Sequence, residues 1–215
     1  MVLASITQTL TDAISHHGIG AAFVLMAVDA LLPVGGELIM VVAGAIAAGA
    51  IAGHPQLLGH QLGGGAATYV TLALAGTLGY LLGSYAGWLL GRRVGREALE
   101  RHGHLVHLGP ANLTRAERWF ERHGAKAVFL GRLTPLVRSF ISIPAGLFGE
   151  PLARYLLLTL AASAIWCFGF AGLGWGVGSS YKSIDHVTHV VEALIVLAAL
   201  AGAGALFWRR RAARV

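Results

Sequence analysis

Apolar residues fall along the chain in blocks of unequal length, and length decides what each block does. A helix needs roughly 20 apolar residues to cross the hydrocarbon of a bilayer. Three blocks reach that length: Ala66–Leu90, Leu152–Val177 and Val187–Trp208. Two others, Ile19–Leu32 and Leu38–Ala52, fall short; the first carries Asp29, and LPVGGE separates them. Together they predict a helical hairpin over about 19–52 that dips into the bilayer and turns back at Pro33–Gly36. The stretch Lys126–Phe148 predicts a second hairpin, over about 126–149, turning around Thr134–Ser139. Unwound backbone at that depth is tolerated only where protein or a polar cavity surrounds it. The alternative for each hairpin is one kinked spanning helix, since membrane helices accommodate proline kinks. At the amino end Val2, Leu3, Ile6, Leu10 and Ile14 recur at helical spacing. This predicts an amphipathic interfacial helix over 1–17, with a frayed tail as the plainer alternative.

Charge then orients the blocks. The loop Arg92–Lys126 holds eight basic residues and the tail Arg209–Arg214 four, while none occurs from Met1 through Gly91. The positive-inside bias puts both basic clusters in the cytoplasm. Three spans satisfy this, running inward, outward and inward again, so the C-terminus is expected to be cytoplasmic. The first hairpin then opens to the outside and the second to the cytoplasm.

The two hairpins are also related in sequence. One offset separates Pro33 from Pro135 and Ala43–Gly44 from Ala145–Gly146, so PVGGELIMVVAG and PLVRSFISIPAG align without a gap. GWLLG (Gly87–Gly91) matches GWGVG (Gly174–Gly178) at a different offset, the difference falling around Gly63–Gly65. Chance identity among glycines and alanines is the other reading. With opposite hairpins, these matches predict an inverted-topology repeat, which places broken helices and binding sites near the bilayer midplane. The expected architecture is an all-α polytopic membrane protein. It comprises the interfacial helix 1–17, a membrane domain over 18–180 with a cytoplasmic amphipathic segment at about 92–125, and a C-terminal transmembrane helix with a basic tail over 181–215.

Composition agrees with a membrane setting. Of 215 residues, 56% are hydrophobic and 12% charged, with a mean hydropathy of +0.68; soluble domains carry about 25% charged residues. The net charge of +6 does not indicate nucleic-acid binding, because topology and anionic lipid headgroups account for both basic clusters. The single cysteine, Cys167, excludes an intrachain disulfide. Thirty glycines suit close helix packing and permit a homodimer through small-residue faces.

Against this background Arg132 and Arg138 stand out, both inside Ala125–Phe148. A charge near the bilayer centre costs about 2.5–3.5 kcal/mol even on lenient insertion scales, so such groups mark pathways and sites. Two positive charges with Pro135 between them and Pro144 after them predict a broken element that holds an anion.

The motifs LPVGGE (32–37), AGAIAAG (43–49), GSYAGWLLGRRVG (83–95) and ERWFERHGAKAVFLGRLTPLVRSFISIPAG (117–146), with Trp166, resemble the DedA family, also described by its VTT or SNARE-associated domain. The resemblance covers roughly residues 20 to 180. It implies a transporter, not an enzyme, without cofactors, in the bacterial cytoplasmic (inner) membrane. Its substrate would be polyprenyl phosphate such as undecaprenyl phosphate, the cell-wall carrier lipid, or a related phospholipid, in several members with proton coupling. Arg132 and Arg138 match the two family arginines, Glu37 matches the acid closing the first motif, and Asp29 sits where many members carry glutamate. Leu133 replaces a usual phenylalanine, Gly35–Gly36 stands where a second proline is often found, and Asp29 is the shorter acid. These departures leave the identity of the lipid open.

The chemistry of the residues is consistent with that reading. A lipid phosphate crossing hydrocarbon needs its hydration replaced, and guanidinium groups do so with a planar, permanently charged fork. Backbone amides near Gly35–Gly36 and Ser139, and the hydroxyls of Thr134, Ser139 and Ser142, add donors. Asp29 and Glu37 are expected to neutralise the arginines and are the candidates for proton coupling. The alternative is that arginines and acids form a buried ion-pair lock between hairpins, with no ligand. Two other functional classes stand beside the transporter. A membrane lipid phosphatase would need a nucleophilic His or Asp near the arginines, and the motif contains no histidine; the third class is a non-transporting membrane-homeostasis protein.

Other polar residues read more plainly. His102, His104, His107 and His123 lack cysteine or acid at ligand spacing, so they predict solvated surface and no metal. His186 and His189 read as interfacial, and Arg115–His123 as an amphipathic helix on lipid headgroups. Trp88, Trp119, Trp166, Trp175 and Trp208 suit interfacial or packing roles, and Glu192 has no assigned place.

Overall fold

The first short apolar block folds as helix α1 (Gly18–Asp29), which ends where the sequence turns to LLPVGG. The computed structural model describes residues 18–32, 34–51, 56–57, 60–102, 110–124, 126–134 and 137–180. The expected interfacial helix over 1–17, the span Val187–Trp208 with its basic tail, and Glu192, His104, His107, His186 and His189 lie outside the described residues.

Helix α2 (Gly36–Ala47) begins one residue after Gly35, whose φ of 96° is left-handed. A side chain there would be strained, so glycine permits the tight reversal from α1. Nearly every residue of α2 is buried, as expected for a helix enclosed by protein rather than lying at a surface. A two-residue antiparallel ladder follows, β1 (Gln56–Leu57) with β2 (His60–Gln61). Apart from it, the described residues are helical or in turns.

Helix α3 (Ala66–His102) is 37 residues long. It runs on past Leu90 into the stretch read from sequence as a separate cytoplasmic segment. Hydropathy falls at Arg92, but the Arg, Glu, Ala and Leu that follow are strong helix formers, so the backbone continues. Helix α4 (Pro110–His123) starts upstream of the expected Arg115, with proline at its first position, where a missing N–H costs nothing. Gly124, at φ 53°, ends it. Between helix α5 (Lys126–Leu133) and helix α6 (Ser142–Leu147), residues 137–141 form a turn. Helix α7 (Leu152–Ser180) closes the described fold.

Among the described residues, two helices are long and apolar enough to cross a membrane: Ala66–Val94 within α3 and Leu152–Ser179 within α7. α1 and α2 are apolar but shorter. Along α3, Val70, Leu74, Leu78 and Leu82 form an exposed stripe at four-residue spacing, and Leu157, Ile165 and Leu173 are exposed on α7. Such faces are costly in water and are the surface that acyl chains cover.

Helix α2 packs on α7, and α6 packs on α3. Glycines set both crossings. A Cβ on Gly44 would strike the Ala171 carbonyl oxygen, and one on Gly174 that of Val41. Likewise a Cβ on Gly146 would strike the Trp88 carbonyl oxygen, and one on Gly91 that of Ile143. Each crossing therefore uses one glycine from each helix to bring backbones into contact. Gly44 and Gly146 are the pair aligned from sequence. On the long helices, however, Gly91 corresponds to Gly174, one helical turn before the Gly178 that the GWLLG/GWGVG match selects. The two largest apolar clusters among the described residues fill much of the remaining interior. One gathers Met26, Ile39, Met40 and Leu72, and the other Trp88, Val128, Ile141 and Tyr155.

Candidate functional site

Asp29 ends α1, and its side chain closes the hairpin tip behind it. Oδ1 accepts three successive backbone N–H groups, from Val34 (3.1 Å), Gly35 (3.0 Å) and Gly36 (2.9 Å). These are amides at and before the start of α2, which would otherwise lack intrahelical partners. Gly36 has no space for a side chain: a Cβ would meet the Asp29 carboxylate and Arg138 Nη2.

Arg138 reaches this tip from the turn between α5 and α6. Its Nη2 forms an ion pair with Asp29 Oδ2 and lies 3.4 Å from Glu37 Oε1. The Asp29 side chain is 1% exposed and the Arg138 side chain 4%, while Glu37, in the first turn of α2, is 32% exposed. The Arg138 guanidinium carbon lies 5.1 Å from the centroid of the Tyr80 ring and 5.0 Å from that of Trp166. These are cation–π distances, strongest where water is excluded.

Arg132 sits in the last turn of α5 and is 2% exposed. One nitrogen, Nη2, donates to Ser142 Oγ (3.0 Å) and to Tyr155 Oη (2.6 Å). Tyr155 passes the contact on, donating to the Ser84 carbonyl oxygen at 2.9 Å. The Arg132 guanidinium carbon is 5.4 Å from the ring centroids of both Tyr80 and Tyr155. Its other two nitrogens, Nε and Nη1, are buried with no hydrogen-bond partner among the described residues. Both guanidiniums thus lie against the Tyr80 ring, but they are held differently. The two acids do not divide between the arginines: both attend Arg138, whereas Arg132 bonds to Ser142 and to Tyr155 of α7.

The expected hydroxyl donors also separate. Ser142 is buried and bonded to Arg132, and Ser139 is buried. Thr134, just past the end of α5, is exposed and donates to the Leu130 carbonyl oxygen of that helix. Among the described residues no group of three or more His, Cys, Asp or Glu is placed to hold a metal. His123 packs on its own helix instead, its ring 4.0 Å from that of Trp119 and its Nδ1 3.0 Å from the Trp119 carbonyl oxygen. Trp88 and Trp119 donate to the carbonyl oxygens of Glu150 and Ala127, which makes them packing residues.

Tyr80, Ser84, Tyr155 and Trp166 belong to the cluster but were not singled out from sequence as site residues. The available signal was a polar residue every fourth position on otherwise apolar helices: Tyr80 and Ser84 on α3, then Tyr155, Thr159 and Ser163 on α7.

Comparison with known proteins gives a consistent set of relatives. Residues 32–176 match the family described as VTT domain. An alkaline phosphatase-like protein of Lactococcus lactis subsp. cremoris is 29% identical over 187 residues, covering 82% of this chain and 78% of the relative. Undecaprenyl phosphate transporter A of Staphylococcus aureus is 28% identical over 189 residues, covering 87% and 88%. An uncharacterized membrane protein of Mycobacterium tuberculosis is 27% identical over 218 residues, covering 100% and 92%. No solved structure matches.

Proposed function

The chain belongs to the VTT-domain, or DedA, family of membrane proteins, and from that premise we propose that it carries a lipid phosphate across the bacterial cytoplasmic membrane. The substrate class is polyprenyl phosphate, with undecaprenyl phosphate first among candidates, as the name of the Staphylococcus aureus relative suggests. The observation that carries this reading is Arg132. A buried guanidinium with two unpartnered nitrogens is costly, since unmade hydrogen bonds to buried polar groups cost about 1–3 kcal/mol and more for charged ones. A phosphate oxygen satisfies such a group well, because guanidinium and phosphate match in charge and fork geometry. Ser142 and Tyr155 fix the Arg132 fork. Arg138 is the second station, where the phosphate competes with Asp29 and Glu37, and a proton taken up by either acid eases that exchange.

The wider arrangement follows the same reading. The membrane domain spans 18–180, both hairpins are re-entrant, and they are the related parts of an inverted repeat. The paired glycine crossings of α2 on α7 and α6 on α3 support this. A third span and a cytoplasmic basic tail complete the chain, and anionic headgroups attend its basic segments. Small-residue faces allow a homodimer.

A second reading, a lipid phosphatase, draws on the name of the Lactococcus relative, so the test measures both outcomes. The full chain is reconstituted in liposomes, and a labelled polyprenyl phosphate is followed across the bilayer while released phosphate is assayed. Transport is expected without phosphate release, and Arg132→Ala should slow it by about a hundredfold, the loss of charged hydrogen bonds totalling about 3 kcal/mol. Phosphate release by the wild type would replace carriage with hydrolysis, and neither activity from folded protein would defeat both readings.

A further inference from the structure

We propose that α7 carries a row of hydroxyl donors, Thr159 and Ser163, that binds phosphate oxygens between Arg132 and Arg138. The proposal rests on the lipid-phosphate reading above and adds the residues that line the way from one arginine to the other.

Tyr155, Thr159 and Ser163 recur every fourth residue and so share one face of α7, which Trp166 continues. The two ends of this row are fixed by the arginines. Tyr155 accepts from Arg132, and the Trp166 ring lies 5.0 Å from the Arg138 guanidinium carbon. At 1.5 Å per residue the row is about 16 Å long, with Thr159 and Ser163 between its ends.

Those two side chains are buried, 0% and 4% exposed, and neither hydroxyl has a hydrogen-bond partner among the described residues. Trp166 Nε1 and, on α3, Ser84 Oγ are in the same condition. That is unusual for hydroxyls in an apolar helix, which normally bond back to the carbonyl four residues earlier. Thr71 and Thr77 on α3 do so, at 2.7 Å each, to Ala67 and Ala73. A hydroxyl that forgoes that bond while buried destabilises the fold, unless something else accepts its proton. The indole is donor-only, and so are the two unpartnered nitrogens of Arg132. The row therefore asks for an acceptor-rich guest. An ionised phosphate offers only acceptors, so its oxygens complement the row at every step between the two guanidiniums.

The test uses the full chain in detergent micelles with farnesyl phosphate, a short polyprenyl monophosphate, as probe and farnesol as the phosphate-free control. Binding is measured by calorimetry for the wild type, for Thr159→Val with Ser163→Ala, and for the hydroxyl-retaining exchange Thr159→Ser with Ser163→Thr. The apolar pair should bind farnesyl phosphate about 10- to 100-fold more weakly, the scale of one or two hydrogen bonds to a charged group. Its binding of farnesol should be unchanged. Because it removes two unpartnered hydroxyls, it should unfold at the wild-type temperature or higher. The hydroxyl-retaining pair should bind within about threefold of the wild type. Equal farnesyl phosphate binding by the apolar pair overturns the row while leaving the carrier reading intact. So does an affinity loss that comes with a matching fall in unfolding temperature, which would make the hydroxyls structural. If the wild type binds farnesyl phosphate no better than farnesol, the carrier reading itself fails, and the row with it.

Discussion

At the scale of single residues, the four charged groups of the site are unequal. Asp29 serves two purposes with one carboxylate, closing the hairpin tip through three amides and anchoring Arg138 through its other oxygen. Glu37 contacts the same Arg138 nitrogen at 3.4 Å but is 32% exposed, so solvent offsets much of its attraction. Asp29→Ala should therefore lower unfolding free energy by about 3–5 kcal/mol, since it strands a buried cation. Glu37→Gln should cost about 0–1 kcal/mol. Denaturant titrations in micelles check both, and equal losses would show that Asp29 is not the principal anchor. Arg132→Lys should retain the charge yet lose about tenfold or more in transport rate. A lysine ammonium cannot hold Ser142 and Tyr155 while presenting further nitrogens in a plane. The arginines and the two acids beside Arg138 were legible in the sequence, because charge is conspicuous in an apolar run. The environment of Arg132 was not, because Tyr80, Ser84 and Tyr155 come from helices distant in sequence and look like ordinary polar residues of membrane spans.

At the scale of elements, what was legible tracks where hydropathy and backbone propensity agree. The breaks between short helices follow from apolar blocks interrupted by LPVGGE and by the stretch after Leu133, whose residues 137–141 are in a turn. Hydropathy and propensity disagree after Leu90, where the apolar run ends but α3 remains helical to His102. The register between the long helices was also hidden, since it is set by which glycine meets a carbonyl across the interface rather than by sequence match. This makes the glycines testable. Gly44→Ala and Gly146→Ala each place a Cβ on a backbone carbonyl that no rotamer change can move, so α2 must lift from α7, or α6 from α3. Each should destabilise by about 3 kcal/mol, at the upper end for overpacking. Gly169→Ala in α7 meets nothing within 4 Å and should be neutral or stabilising by up to about 1 kcal/mol, alanine being the better helix former. Thermal unfolding of the three variants decides the matter; a loss at Gly169 equal to that at Gly44 would reduce the effect to generic helix perturbation.

At the scale of the whole molecule, the inverted arrangement depends on which side each hairpin enters from. A re-entrant hairpin begins and ends on one side of the membrane, whereas a kinked span begins and ends on opposite sides. The absence of Lys and Arg before Arg92 predicts that the ends of the first hairpin lie outside, and the basic loop predicts that those of the second lie in the cytoplasm. Cysteine labelling can read this directly, because the sequence contains a single cysteine, the buried Cys167, which is first changed to alanine. Gly20→Cys and Gly63→Cys flank the first hairpin at positions where an added Cβ meets nothing within 4 Å. Lys126→Cys and Arg154→Cys bracket the second at exposed positions. A membrane-impermeant maleimide should reach 20 and 63 in right-side-out vesicles, and 126 and 154 only in inverted ones. Reaction of 20 and 63 from opposite sides would make the first hairpin a span and reverse everything after it. The acid-lined tip that anchors Arg138 would then belong to a crossing helix, and two hairpins meeting from opposite sides could no longer explain why both arginines lie against the ring of Tyr80.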